Sequence, residues 1–176
     1  MSDAVAIRTL TADEATRYAA ALGEVLADCV AGGASVNFMH PYSPADGEAF
    51  YREVAGSVAA GHTLLLAAFL RGTIVGTVQV QLVGKPNQRH RVDIAKMLVH
   101  RAARRRGVGA ALMAAAEAEA VKAGRWLAVL DTATGGDAER LYRRLGWLEC
   151  GVIPEFAQWP EGGLCGATVF YKRLAR

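Results

Sequence analysis

The chain has 176 residues and a net charge of +3, with 52% hydrophobic and 21% charged residues. That length holds one core of useful size, so a single domain over residues 1–176 is expected, and the composition excludes a chain too polar to fold. No apolar run approaches the roughly 18 to 20 residues of a membrane span. The opening Met1 to Ala4 carries neither the basic nor the apolar region of a signal peptide. Cys29, Cys150 and Cys165 are far apart and form no CxxC pair. Neither a disulfide framework nor a zinc site is indicated, and a reducing cytoplasm without membrane contact is expected.

Val5 to Leu10 is short and rich in β-branched residues, a first strand. Thr11 and Glu14 have capping-box spacing and open a helix that stops at Gly32–Gly33. Ser43 before Pro44 starts a second helix running to about Gly61. Thr63 to Leu70 and Thr73 to Val83 read as a hairpin across Arg71–Gly72. Gly84 to Gln88 is a loop, and Arg89 to Val99 a fourth strand. Ala110 to Ala123 is helical, with Leu112, Ala116 and Ala120 as its apolar stripe. Trp126 to Leu130 suits a short buried strand. Asp137 is placed to cap a helix through Leu145, and Trp147 to Ile153 and Ala167 to Leu174 supply the last strands. The expectation is an α/β sandwich about one mixed sheet.

Arg101, Arg104, Arg105 and Arg106 lie within six residues. Such a run can bind nucleic acid, bind a phosphate-bearing ligand, or form a solvated face. Its setting is a strand ending Leu98–Val99, then Arg104, Gly107 and Gly109, then a helix start. Unpartnered N–H groups and the positive helix end favour an anion there, and glycines allow close approach. Leu112 stands where a dinucleotide fingerprint needs its third glycine, and no Lys-Ser or Lys-Thr follows. What remains, Arg-x-x-Gly-x-Gly, resembles the acetyl-CoA loop of the GNAT superfamily of N-acetyltransferases. Ala138, Leu141, Tyr142, Gly146 and Trp147 match a second element of that superfamily, A-x-x-L-Y-x-x-x-G-[FWY]. Gly135 departs from it, standing where an Asn is usual.

The resemblance implies a mostly antiparallel sheet of about seven strands, splayed at its central parallel pair and flanked by helices. It implies acetyl-CoA as co-substrate, no metal, and an amine as acceptor. Leu98, Val99, Arg104, Arg105, Arg106, Gly107, Val108, Gly109, Ala110 and Tyr142 would hold the cofactor. Asp93 and Asp131 stand at cleft-facing places and either could be the general base, while Tyr142 matches the residue that protonates the thiolate. As alternatives, Asp93 could simply pair with Arg91 or Arg89, and Asp131 could be a turn residue.

A narrower likeness runs through Gly32-Gly33-Ala34-Ser35-Val36, Phe38-Met39, Lys85-Pro86-Asn87, Lys96-x-x-Val99, Leu130-Asp131-Thr132 and Ala167-x-x-Phe170-Tyr171-Lys172. It is to the tabtoxin-resistance branch of the superfamily, which acetylates a β-lactam amino-acid toxin. This implies toxin or antibiotic resistance by acetylation of a small amino-acid-like amine, with Ser35, Asn37 and Phe38 binding it. Other amines (a peptide N-terminus, a polyamine, an aminoglycoside) and a non-catalytic acyl-CoA sensor are the rival readings. No basic stripe accompanies the arginine run, so no nucleic-acid partner is expected. The chain would act as a monomer or homodimer, with an open sheet edge or Pro154 to Gly166 as contact.

Overall fold

The computed structural model describes residues 4–175; Met1 to Asp3, used above in reading the chain start, lie outside the described residues. Strand β1 (Ala6–Leu10) leads into helices α1 (Ala12–Arg17), α2 (Ala19–Ala31) and α3 (Pro44–Ala59). The Thr11 hydroxyl accepts from the Glu14 N–H and the Glu14 carboxylate accepts from the Thr11 N–H, closing the expected capping box. A cap of this kind contributes about 1 kcal/mol. The one helix expected up to Gly32 is instead two, because Tyr18 at φ −94° and ψ 6° ends α1 and begins α2. The Tyr18 ring packs edge-on to Phe69 on the sheet, 5.6 Å between centroids, which anchors the break.

Ser43 and Asp46 cap α3 reciprocally. Helices α2 and α3 then meet backbone to backbone at Gly23 and Gly47. A Cβ on Gly47 would lie 2.5 Å from the Gly23 oxygen and 2.7 Å from its Cα. No side chain fits there.

The remaining elements are β2 (Thr63–Leu70), β3 (Thr73–Leu82), β4 (Arg91–Val99), α4 (Val108–Lys122), β5 (Leu127–Ala133), α5 (Asp137–Arg144), β6 (Leu148–Gln158) and β7 (Leu164–Arg173). Short 3-10 turns at Pro86–Gln88 and Arg101–Ala103 flank β4. Gly136, not Asp137, takes the cap position of α5, and Asp137 sits in its first turn. The seven strands form one sheet in the order β1-β2-β3-β4-β5-β7-β6. Neighbours are antiparallel except β4 and β5.

The period of two along each strand divides the core between the faces. Leu66, Val78, Val80, Val92, Ile94 and Phe170 pack under Leu112, Met113 and Ala116 of α4. On the other face Leu65, Ala67, Phe69 and Ile74 pack under Leu22, Leu26, Val30 and Tyr51 of α2 and α3. Each such Leu, Val, Ile, Phe or Met side chain taken fully out of water contributes roughly 1.5 to 3 kcal/mol. Helices α1 to α3 thus cover the β1–β3 side. On the same face, β4, β5 and β7 line a cavity instead.

Candidate active site

Strands β4 and β5 pair only at Arg91–Leu127, Val92–Ala128 and Asp93–Val129. Beyond Asp93 the ladder to β5 stops, while β4 stays paired to β3 through Val99. The sheet therefore opens as a wedge from Asp93 onward, leaving the β5-facing backbone of Ile94 to Val99 outside any ladder. Opposite β3, the register slips between Gln79–Ala95 and Thr77–Leu98, placing one extra residue in β4. Lys96 lies in that bulge at φ +49°.

The wedge leads to the arginine–glycine loop. Gly107 adopts φ +77°, a left-handed conformation that glycine takes without strain, and so turns the chain into α4. The Ala111 N–H is bonded to the Gly107 oxygen, so the N–H groups of Val108, Gly109 and Ala110 precede the helical ladder. Gly109 leaves less room than Gly107: a Cβ there would come within 3.0 Å of Leu141 Cδ2 on α5. Arg104, Arg105 and Arg106 are exposed around this helix start. Arg104 Nε donates to the Val99 oxygen at 3.2 Å, tying the loop to the end of β4. Arg101 does not belong to a uniform basic face, because its Nε and backbone N–H both bond Asp28. Three free N–H groups, a positive helix end and three exposed guanidiniums fit a diphosphate, while Leu98 and Val99 lie along the wedge where a pantetheine arm would run.

The two carboxylates face one cavity. Asp93 pairs with Val129, and Asp131 lies two residues beyond Val129, so both project from the same face on opposite sides of the wedge. They line a cavity of about 320 Å³ with Gln81, Ala95, Phe156 and Val169. Asp93 Oδ1 also pairs with Arg91 at 2.8 Å, so the ion pair anticipated for it exists within the cavity wall. Burial nonetheless lifts the Asp93 carboxyl above the ordinary carboxylate range; Arg91 pulls it down and the Asp131 charge pushes it further up. Tyr142 on α5 is only 5% exposed, its ring 6.1 Å from those of Trp147 and Phe170. Burial first, and then the charge of Asp131, raise its phenol well above the usual value.

A second cavity of about 280 Å³ adjoins and shares Asp131 and Phe156. Ser35, Asn37 and Phe38 line it, together with Met39, Glu155 and Gln158. The Ser35 hydroxyl donates to the Gln158 oxygen at 2.9 Å and His40 N–H donates to the Pro160 oxygen at 2.9 Å, so the Ala31–Pro41 loop is pinned to the β6–β7 loop. Asn37 holds φ +76° and accepts from Lys96 Nζ at 2.8 Å.

Two lining residues, Gln81 and Phe156, and the neighbouring Lys96 are not singled out by the sequence as site residues. Gln81 lies inside the expected strand Thr73 to Val83 with no local motif to mark it. Phe156 lies beyond Ile153, where the expected strand ends, whereas β6 continues to Gln158 through a bulge between Ile153 and Ala157, and Phe156 lines both cavities. Pro154, which cannot donate to a ladder, was the available signal for that bulge. Lys96 was seen only as part of a resemblance. At Gly135, the departure from the expected Asn, the backbone N–H is instead bonded by the Glu139 carboxylate and the oxygen accepts from Arg140 at 2.9 Å.

Solved structures share this architecture. An N-acetyltransferase from Staphylococcus aureus Mu50 superposes with a TM-score of 0.80 at 14% identity, over 98% of this chain and 99% of that one. A ribosomal-protein-alanine N-acetyltransferase from Brucella melitensis gives 0.78 at 22%, over 96% and 99%. A GNAT superfamily phosphinothricin acetyltransferase from Sinorhizobium meliloti, in complex with acetyl-CoA, gives 0.77 at 17%, over 97% and 89%. These identities show a common fold. The sequence pattern of the acetyltransferase (GNAT) family matches residues 17–147, and the chain belongs to that family as an acetyl-CoA-dependent N-acetyltransferase.

Proposed function

We propose that the acceptor is the amine of a small, zwitterionic, amino-acid-like molecule, with a dipeptide-like β-lactam toxin or antibiotic as one member of the class. The observation that carries this reading is the pair of adjoining cavities meeting at Asp131, one reaching the wedge and the other walled by Ser35, Asn37 and Phe38. Residues Ala31 to Pro41 include no Asp or Glu, so a polycationic aminoglycoside finds little there to pair with. The similarity to tabtoxin-resistance sequences and to phosphinothricin acetyltransferases supports the same class. With no helix among the described residues long and apolar enough to cross a membrane, a cytoplasmic site of action suits it.

Bound at the cradle, acetyl-CoA supplies the acetyl group as a thioester. The chain's own residues do the rest. Arg104 to Arg106 and the N–H groups of Val108 to Ala110 hold the diphosphate, and Leu98 and Val99 lie alongside the pantetheine. An ammonium has no lone pair, so the acceptor must lose a proton before it attacks. Asp131 receives the ammonium, and Asp93, whose burial raises its proton affinity, takes the proton directly or through one water. Unladdered N–H groups of β4 beyond Asp93 donate to the carbonyl oxygen as charge gathers on it. Tyr142, kept protonated by burial, returns a proton to the departing sulfur.

Thiol release from acetyl-CoA against matched panels of amino acids, dipeptides, polyamines and aminoglycosides tests this. Amino-acid or dipeptide acceptors should give the highest kcat/KM. A preference of more than about tenfold, ~1.4 kcal/mol of transition-state binding, for an aminoglycoside or a protein lysine would overturn it.

A further inference from the structure

A regular β4 would send Asp93 and Ala95 to one face, and Ile94 and Lys96 to the other. The bulge changes this. Ile94 and Met97 pack toward α4, whereas Leu98 packs toward α2 and α3, so an extra residue is taken up between Ala95 and Leu98. Lys96, at φ +49°, is turned to the face that carries Asp93 and Asp131. An L-residue with a side chain pays for that conformation in backbone strain, of order 1 to 3 kcal/mol. Strain of this kind points to a placement that matters.

The ammonium it delivers is oddly housed. Lys96 Nζ lies 5.7 Å from the Phe38 ring centroid and 5.9 Å from that of Phe50, over two aromatic faces. It donates one hydrogen bond, 2.8 Å to Asn37 Oδ1. Asn37 and Phe38 both line the cavity that ends at Asp131. The Lys96 and Asp131 charges are close enough to act on one another, although the ammonium is half-buried and its burial disfavours the charged form. An ammonium has three N–H donors. Ring faces attract it but supply no carboxylate lone pair. The Lys96 ammonium therefore stands directly behind Asn37 and Phe38 in the wall of the cavity that Asp131 also lines, a cation and an anion spaced like the mirror of a molecule that carries a carboxylate and an ammonium.

We propose that Lys96 is the specificity-determining residue that anchors the carboxylate of the acceptor, with Asn37 steering it, while Asp131 receives the amine. This rests on the amino-acid reading above and names how the site recognises that class. A charge-assisted bond of N⁺–H to a carboxylate in a partly dry pocket is stronger than a neutral one. Removing the carboxylate should therefore be felt mainly in KM.

The test uses wild-type enzyme with L-methionine, L-threonine and L-alanyl-L-alanine, each beside its amide, which keeps the amine and lacks the carboxylate. Wild type should favour the acids by about tenfold to a hundredfold in kcat/KM. Lys96→Met keeps the aliphatic stem and should raise KM for the acids by that factor, leaving the amides nearly unchanged; Lys96→Arg should restore part of the preference. If wild type treats acids and amides alike, or Lys96→Met weakens both equally, Lys96 is not the anchor, and the amino-acid reading survives. If wild type acetylates none of the six probes and turns over aminoglycosides instead, the amino-acid reading itself fails, and the anchor with it. The wild-type ratio needs no variant, so a Lys96→Met chain that misfolds still leaves the inference open to refutation.

Discussion

Strands β2 and β3 are paired along eight positions, from Thr63–Gln81 to Leu70–Thr73, whereas β4 and β5 are paired along three. The first pair is covered on both faces: by α4 over Leu66 and Val78, and by α2 and α3 over Leu65 and Ala67. The second has its carboxylates facing a cavity. Satisfied backbone groups in the first region contribute order and nothing else. Unladdered groups in the second remain available to water or a ligand through the adjoining cavity. Stability and chemistry are thus divided along the sheet, and variants on the two sides should separate them.

The largest effect is expected at the open side. Asp93→Asn removes the base with little change of shape and should lower kcat by about 10² to 10⁴, and Asp131→Asn, which removes the group that receives the amine, should lower kcat/KM for the acceptor, while acetyl-CoA affinity stays near wild type in both. Because burial lifts the Asp93 carboxyl above the ordinary range, activity should fall with decreasing pH through a value above the usual carboxylate pKa of ~4. Below that value the base is protonated. The Asp93→Asn enzyme should have lost that acidic limb. Stopped-flow rates from pH 5 to 9, a range chosen to bracket roughly the base and amine pKa values, would show it. An Asp93→Asn enzyme with wild-type kcat would move the base elsewhere.

Next comes the cradle. Gly109→Asp adds a negative charge beside the proposed diphosphate; unit charges at 4 Å interact by about 1 to 4 kcal/mol between bulk water and a protein surface, so acetyl-CoA affinity should drop tenfold or more by calorimetry. Gly109→Ala is the control, since its methyl meets side-chain ends alone, Leu141 Cδ2 at 3.0 Å and Met97 Sδ at 3.7 Å. Should both variants bind alike, the loss is packing and the phosphate lies elsewhere.

On the closed side, Gly47→Ala puts a methyl against the Gly23 backbone, which cannot yield as a side chain can. Overpacking of this kind costs about 1 to 3 kcal/mol. For a chain of this size each kcal/mol lowers Tm by roughly 2 to 4 °C. KM for acetyl-CoA, measured well below the new Tm, should not change. A shift in KM equal to the loss of stability would show that wedge and helix pair are one cooperative unit.

The same division explains what could be read from the chain. The hairpin was legible to its ends at Leu70 and Thr73, because alternation and Arg71–Gly72 are local signals. So was the turn from Gly107 into α4, where residue types and spacing are again local signals. Asp93 and Asp131 were legible as candidates. That both face the cleft was legible only through the resemblance, since in the fold it follows from the register Asp93–Val129 across a parallel pair whose partners lie far apart in sequence. Bulges hid the rest. Lys96 stands where one inserted residue overrides alternation, so a sequence read at period two sends it to the wrong face, and Phe156 stands where β6 takes up two extra residues beyond the strand end expected at Ile153. Tyr18 broke a helix that local propensity would have continued, through a contact with Phe69 that only the tertiary fold supplies.

The smallest expected effect lies at the seam between the two sides. Asp28, at the end of α2, accepts from the Arg101 backbone N–H at 2.7 Å and from its Nε at 2.8 Å, and lies 3.6 Å from His100 Nε2. It therefore staples the closed helical layer to the loop that precedes the cradle. Burial of Asp28 pushes its carboxyl up, but the two bonds from Arg101, with the charges of His100 and Arg101, outweigh that and leave it below the ordinary value. A carboxyl so lowered contributes stability that is fully present above its unfolded pKa of ~3.9 and is lost as pH falls through the folded value. Asp28→Asn should thus be less stable than wild type by about 1 kcal/mol at neutral pH, and the gap should close as pH drops below ~4. Urea titrations at stepped pH measure it. A gap that persists in acid would mean that Asp28 acts by shape and not by charge, and the seam would then hold through packing alone.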